Sequence, residues 1–246
     1  MKFTTFCFAL LVAMLAAADV RGTTIAYYSL GDNQTNGATA AAPTDSTGNH
    51  DFVGGGQIQN PGNIKVDKVN FAPVAGNIGS YVFTPNSGFY GTQDLNSSYP
   101  LTDNFTVDIW AKAANAGASE ADNNLLTTDG ATLNIAVSGG SYVARNGATT
   151  FSTGPAVTTS WTELTLTRSG GVTSFYVNGA LQSGTSATAG SVSTGMHLGV
   201  TPGGSSGFGG NLDELTVSTV PEPASLVLFG LGAIGLFLAV RRRRAV

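Results

Sequence analysis

WTELTLTRSGGVTSFYVNG, residues 161–179, contains two short alternating runs separated by glycines and closed by a turn. In 162–168, Leu164 and Leu166 share one face while Glu163, Thr165 and Thr167 occupy the other, the period of a half-buried strand. The run 172–177 is rich in β-branched and aromatic residues. Asn178-Gly179 follows, a pair that tolerates positive φ at both positions, and it predicts a hairpin leading on toward Leu181.

Working outward, the same pattern recurs. Segments 24–30 (TIAYYSL), 80–84 (SYVFT), 105–111 (FTVDIWA), 132–137 and 141–145 read as strands, followed beyond the central stretch by 196–200 and 212–217. In 105–111, Phe105, Val107, Ile109 and Ala111 form an apolar face, with Asp108 turned away from it. Between Asp19 and Glu222 no run of ten or more residues has a helical period. About two hundred residues suffice for one β domain with a full core. The expected fold class is all-β, an antiparallel sandwich or jelly roll spanning 24–218.

The two ends read differently. Residues 1–18 have Lys2, an apolar run and three small residues at Ala16, Ala17 and Ala18, the pattern of a signal peptide cut after Ala18, with a site near Gly22 as the alternative. Cys7 is the single cysteine. Removing the signal peptide leaves a chain with neither disulfide nor thiolate chemistry. At the other end, 219–223 holds Val220, Pro221, Glu222 and Pro223, whose prolines fix φ and remove two donors, so an extended linker is expected. Residues 224–240 carry no charge over seventeen positions. As a helix they would reach about 25 Å, so one transmembrane helix is expected there. Arg241, Arg242, Arg243 and Arg244 in the tail 241–246 would stop transfer and place the C-terminus in the cytoplasm, the N-terminus outside.

The whole chain sums to −4. The body between Asp19 and Glu222 has six basic residues against fifteen acidic ones, a net −9. That balance argues against nucleic acid as a partner.

The tail as a whole resembles the PEP-CTERM sorting signal of Gram-negative bacteria: Pro-Glu-Pro, an apolar stretch and an arginine cluster, in that order. The resemblance implies an exosortase as processing partner, a membrane enzyme with a cysteine nucleophile that cuts near the motif. It also implies transient anchoring in the inner membrane and a destination at the cell surface or in the exopolysaccharide matrix. A second resemblance runs from about Thr24 to Ser218. Tyr27 to Gly31, the Asp45–His50 loop, the Phe105–Trp110 strand, Trp161-x-x-Leu164-x-Leu166, Tyr176-Val177-Asn178-Gly179, Leu198-Gly199 and Asn211-Leu212-Asp213-Glu214-Leu215 are similar to the signature of laminin-G-like, or concanavalin-A-like, jelly rolls. That fold hosts lectins, adhesion modules and hydrolases alike.

Chemistry has few candidates. Glycosidases use two carboxyl groups at set separation, which related glucanases carry as Glu-x-Asp-x-x-Glu. Here Glu120-Ala121-Asp122-Asn123-Asn124-Leu125 ends in leucine. Adjacent Asp213 and Glu214 should point to opposite faces of a strand. His50 and His197, far apart in sequence, read as ordinary surface residues. Calcium is a possible cofactor, with Asp45, Asn49, Asp51 and Asp213 as candidate ligands and Asp122, Asn123, Asn124 and Asp129 in similar stretches. The competing reading makes them turn residues bonded to their own backbone, with Asp213 bracing a neighbouring loop. Tyr90, Tyr99, Tyr142 and Phe208 are candidates for stacking on sugar rings. The expected function is a non-catalytic exported protein that contacts polysaccharide or matrix proteins. The alternative is a secreted carbohydrate-active hydrolase on the same scaffold.

Overall fold

Strand β5 (Phe105–Ala113) shows how the alternating runs become a layer. Its nine residues are buried and half-buried in strict alternation, so Phe105, Val107, Ile109, Ala111 and Ala113 enter the core. Each large side chain so buried stabilises by about 1.5–3 kcal/mol. The computed structural model describes residues 23–48, 51, 64–84, 89–91, 104–115, 123–128, 133–187, 196–199 and 207–220. Residues Thr24–Val220 form one compact unit.

Two antiparallel sheets face one another across that core. The larger has the order β12 (Ala180–Ser186), β11 (Val172–Val177), β10 (Thr162–Ser169), β5, β14 (Gly210–Thr219), β3 (Ser80–Phe83) and β2 (Ile64–Asp67). Its eighth strand, β1 (Thr24–Tyr28), pairs with β14. The six-stranded sheet runs β4 (Phe89–Gly91), β13 (Met196–Leu198), β6 (Asn123–Thr128), β7 (Leu133–Ser138), β8 (Ser141–Asn146) and β9 (Thr149–Ala156). Phe105, Phe175, Leu164 and Leu215 from the first sheet and Ile135, Leu126 and Leu198 from the second share one core.

The middle of the larger sheet is irregular for a reason. Gly210–Leu212 of β14 pair with β3, whereas Leu215–Ser218 pair with β1, so β14 changes partner along one edge. The change coincides with a register shift against β5 between Asp213 and Thr216. Glu214 has φ 49°. Leu212 and Leu215 both enter the core, so Glu214 is an inserted bulge residue.

Three sheet edges, those at β2, β9 and β12, are covered. Beside β2, Ala40 N donates to Ile64 O at 2.9 Å and Val66 N to Ala38 O at 3.0 Å. Across the sandwich, Ser152 Oγ of β9 donates to Ser183 O of β12 at 2.8 Å. At Gly184, with φ +94°, a Cβ would lie 2.0 Å from Phe151 O, so only glycine lets these two edges meet. The Asn178-Gly179 turn has φ 49° and 74°, as its hairpin requires.

The all-β sandwich stands, with strands β2, β4, β6 and β9 added to those expected. The membrane part of the expectation is corrected: among the described residues no helix is long and apolar enough to cross a membrane. The span 224–240, the stop residues Arg241, Arg242, Arg243 and Arg244, and the signal peptide 1–18 lie outside the described residues. Membrane partnership and an anchored location, both of which rested on that helix, therefore find no support in the fold.

Candidate functional site

The register of the six-stranded sheet lines up polar side chains on the face turned away from the core. His197 opposes Thr127, Thr127 opposes Asn134, Asn134 opposes Arg145, and Arg145 opposes Thr150. Leu126, Ile135, Ala144 and Leu198, one residue away on the same strands, are core. Alternation thus puts the polar set on the opposite surface. Arg145 Nε donates to Thr150 Oγ1 at 3.1 Å. Thr127 is fully buried and Asn134 is 7% exposed. Among the described residues neither Thr127 Oγ1 nor Asn134 Oδ1 has a hydrogen-bond partner. Leaving a buried polar atom unsatisfied costs about 1–3 kcal/mol, so two such atoms in one row call for a reason other than stability.

The outward face of the eight-stranded sheet has a different character. Tyr27, Thr216, Asp108, Thr165, Tyr176 and Leu181 follow one another across six strands. In the next row Asp213 opposes Trp110, which opposes Glu163. Thr165 Oγ1 donates to Asp108 Oδ1 at 2.6 Å. Burial pushes the Asp108 carboxyl up; the Thr165 hydroxyl pulls it down, and the nearby Glu163 charge adds to the rise.

Around the bulge, three further acids meet. Tyr27 donates its phenol to Glu214 Oε2. Burial raises the Glu214 pKa; the Tyr27 bond opposes this, and the Asp32 charge adds to it. Asp213 is fully buried. It accepts from Ala72 N at 2.9 Å, Asn77 Nδ2 at 2.6 Å and Glu214 N at 2.9 Å. Burial raises its pKa to about 7 against the pull of the Ala72 and Asn77 bonds. The expectation that Asp213 and Glu214 face opposite ways is overturned by the bulge, which keeps both on the polar side.

Of the candidate calcium ligands, Asp213 is used up in bracing the 72–77 segment. Asp45 is 2% exposed and accepts from Tyr27 N and Thr47 N, each at 2.9 Å. Asp51 Oδ1 accepts from Asp45 N at 2.8 Å. Asn49 lies outside the described residues, as do His50, Tyr99, Asp122 and Asp129. Among the described residues no group of three or more acids, histidines or cysteines could hold a metal ion. Asn123 and Asn124, read as loop, belong to β6. His197, read as a surface residue, is buried in β13. Tyr142 and Phe208, read as stacking aromatics, are each 1% exposed and belong to the core. Thr127, Asn134 and the Asp108–Glu163 pair went unread, because only strand register brings them together. Val220 closes the domain, its N–H donating to Asn104 O at 3.2 Å. Pro221, Glu222 and Pro223 lie outside the described residues.

Two facing antiparallel sheets with polar outer faces define a lectin-like β-sandwich. Residues 76–224, more than half of the chain, match the laminin-G-type family model described as the Concanavalin A-like lectin/glucanases superfamily, and the chain belongs to it. Residues 219–244 match the PEP-CTERM protein-sorting motif. No curated protein matches the sequence. Among solved structures, the chain is similar to domain 4 of AbnA, a GH43 extracellular arabinanase from Geobacillus stearothermophilus, in complex with arabinotriose. The identity is 17%, with 83% of this chain and 96% of that one covered and a TM-score of 0.51. Trypanosoma rangeli sialidase in complex with the inhibitor DANA is 13% identical, with 86% of this chain covered and a TM-score of 0.55. This chain spans 33% of that sialidase. The binding domain of Paraclostridial Mosquitocidal Protein 1 is 12% identical, with 83% of this chain and 50% of that one covered and a TM-score of 0.51. The expectation that the protein is not an enzyme is corrected here. Its fold recurs in chains of an arabinanase and of sialidases, so a strictly non-catalytic role does not follow from it.

The protein is thus an exported, PEP-CTERM-tagged β-sandwich of the concanavalin-A-like superfamily.

Proposed function

We propose that this domain is carbohydrate-directed and engages a glycan of the cell surface or exopolysaccharide matrix across the outward face of its six-stranded sheet. The observation that carries the reading is the pair of buried atoms without partners, Thr127 Oγ1 and Asn134 Oδ1. A sugar offers hydroxyls that both donate and accept, so one ring edge can satisfy a threonine hydroxyl and an amide oxygen together. The arabinotriose bound by the similar arabinanase domain is a sugar and supports the same reading. The test is glycan-array binding by the full chain and by Thr127→Val. Selective glycan binding that weakens in the variant is expected, and a protein that retains no glycan overturns the reading.

A second reading, carbohydrate hydrolysis, is favoured by Asp108 and Glu163. Thr165 stands opposite Asp108 and Trp110 opposite Glu163, which makes the two acids diagonal neighbours on adjacent strands. Such neighbours have backbones about 7–8 Å apart, and their side chains can set the carboxyl groups within a few ångströms of that spacing. Inverting glycosidases hold their carboxyl groups about 6.5–9.5 Å apart. The raised Asp108 would serve as the proton donor and Glu163 as the base that activates water. Release of reducing sugar, abolished by Asp108→Asn or by Glu163→Gln, is the expected result; turnover unchanged in both variants overturns this reading.

A further inference from the structure

Glu163, Asp108 and Glu214 lie on three successive strands, β10, β5 and β14, on the outward face of the larger sheet. At about 4.8 Å between strands, they span roughly 10 Å. Glu214 sits in the bulge between Asp213, which opposes Trp110, and Thr216, which opposes Asp108. It is 5% exposed, and its Oε2 takes the Tyr27 phenol while Oε1 has no hydrogen-bond partner among the described residues. A buried carboxylate oxygen with no donor is a costly feature, and the group that best completes it is a charged N–H.

Among the described residues the nearby lysines serve other oxygens, Lys68 Nζ donating to Asp32 O. Lys112, further along β5, donates to Asn70 Oδ1 at 2.9 Å. Lys65, on the edge strand β2, donates to Thr39 Oγ1 at 3.0 Å. All three ammonium groups are thus turned to neutral oxygens. Trp110 and Tyr176 are half-buried on the same face and offer aromatic surface beside the acids.

We propose that this face binds a glycan carrying free amino groups, an amino-sugar chain laid across Glu163, Asp108 and Glu214 with a ring against Trp110. The ammonium groups supply the donor missing at Glu214 and relieve the repulsion between Asp108 and Glu163. A sugar ring packs flat against the Trp110 aromatic surface, which a bare oligoamine offers no ring to match. This rests on the carbohydrate reading above and is independent of turnover.

The experiment is calorimetric titration of the full chain with a glucosamine tetramer, its fully N-acetylated counterpart, and spermine. The glucosamine tetramer should bind at least about tenfold more tightly than either of the others, and more weakly as salt rises. Asp108→Asn with Glu163→Gln should abolish that preference. Glu163→Gln alone alters only a half-buried side chain and serves as the variant with the least risk to folding. Equal binding of the acetylated tetramer, equal binding of spermine, or a preference that survives both carboxylate substitutions overturns the proposal. If neutral glycans bind and the amine does not, this proposal fails alone; if no glycan of any kind binds, the carbohydrate reading fails with it.

Discussion

Asn77 donates to Asp213 at 2.6 Å across 136 positions of sequence. That bond, with the one from Ala72 N, ties the segment before β3 to the central strand of the larger sheet. It also buries a carboxyl group whose charge the surroundings only partly support.

The first prediction is a pH dependence. With its folded pKa raised from 3.8 to about 7, Asp213 binds its proton more tightly in the folded than in the unfolded chain. Its stabilising contribution is full below pH 3.8 and is lost as pH rises through about 7. Thermal melts should therefore show lower stability at pH 8 than at pH 6, by on the order of 1–2 kcal/mol. Asp213→Asn should flatten that slope, and a slope unchanged in the variant would count against Asp213 as its source.

Tyr27→Phe removes the hydroxyl that serves Glu214. A bond to a charged group contributes about 1.5–3 kcal/mol, so urea denaturation should show a loss in that range with an unchanged m-value. A neutral effect would mean that Glu214 is served by other donors.

Gly184→Ala forces a methyl against Phe151 O at a positive φ. Strain of about 1–3 kcal/mol from the backbone adds to the clash, and proteolysis should concentrate near β9 and β12. Wild-type protease resistance would contradict the close approach.

Thr127→Val is expected to separate stability from function. Replacing a buried, unsatisfied hydroxyl with a methyl of the same shape should raise stability by about 1 kcal/mol. Glycan binding should fall in the same protein. A destabilised variant would show that the hydroxyl already has a partner.

Much of this architecture is legible in the sequence because side-chain alternation reports burial directly. In β5 and β10 the expected faces and the observed ones agree residue by residue. Where composition works against strand formation, the strands were not legible. β9 contains Gly154 and Pro155, and β6 opens on two asparagines. The bulge at Glu214 was hidden for another reason. It arises where β14 exchanges β3 for β1, a property of three distant segments that no local pattern contains. The site was less legible than the fold, since Asp108 and Glu163 stand 55 positions apart in the sequence and meet only through register.

The position of β14 also governs when this protein can exist as a folded body. The strand lies between β5 on one side and β3 and β1 on the other, yet among the described strands it comes last in the chain. Until residues 210–219 have emerged, β1 has no partner strand and the larger sheet is split in two. Closure must wait for a strand about 190 positions after β1, and such distant pairing makes for slow folding. Closure of the larger sheet thus falls at the point of the chain where the adjoining sorting motif begins.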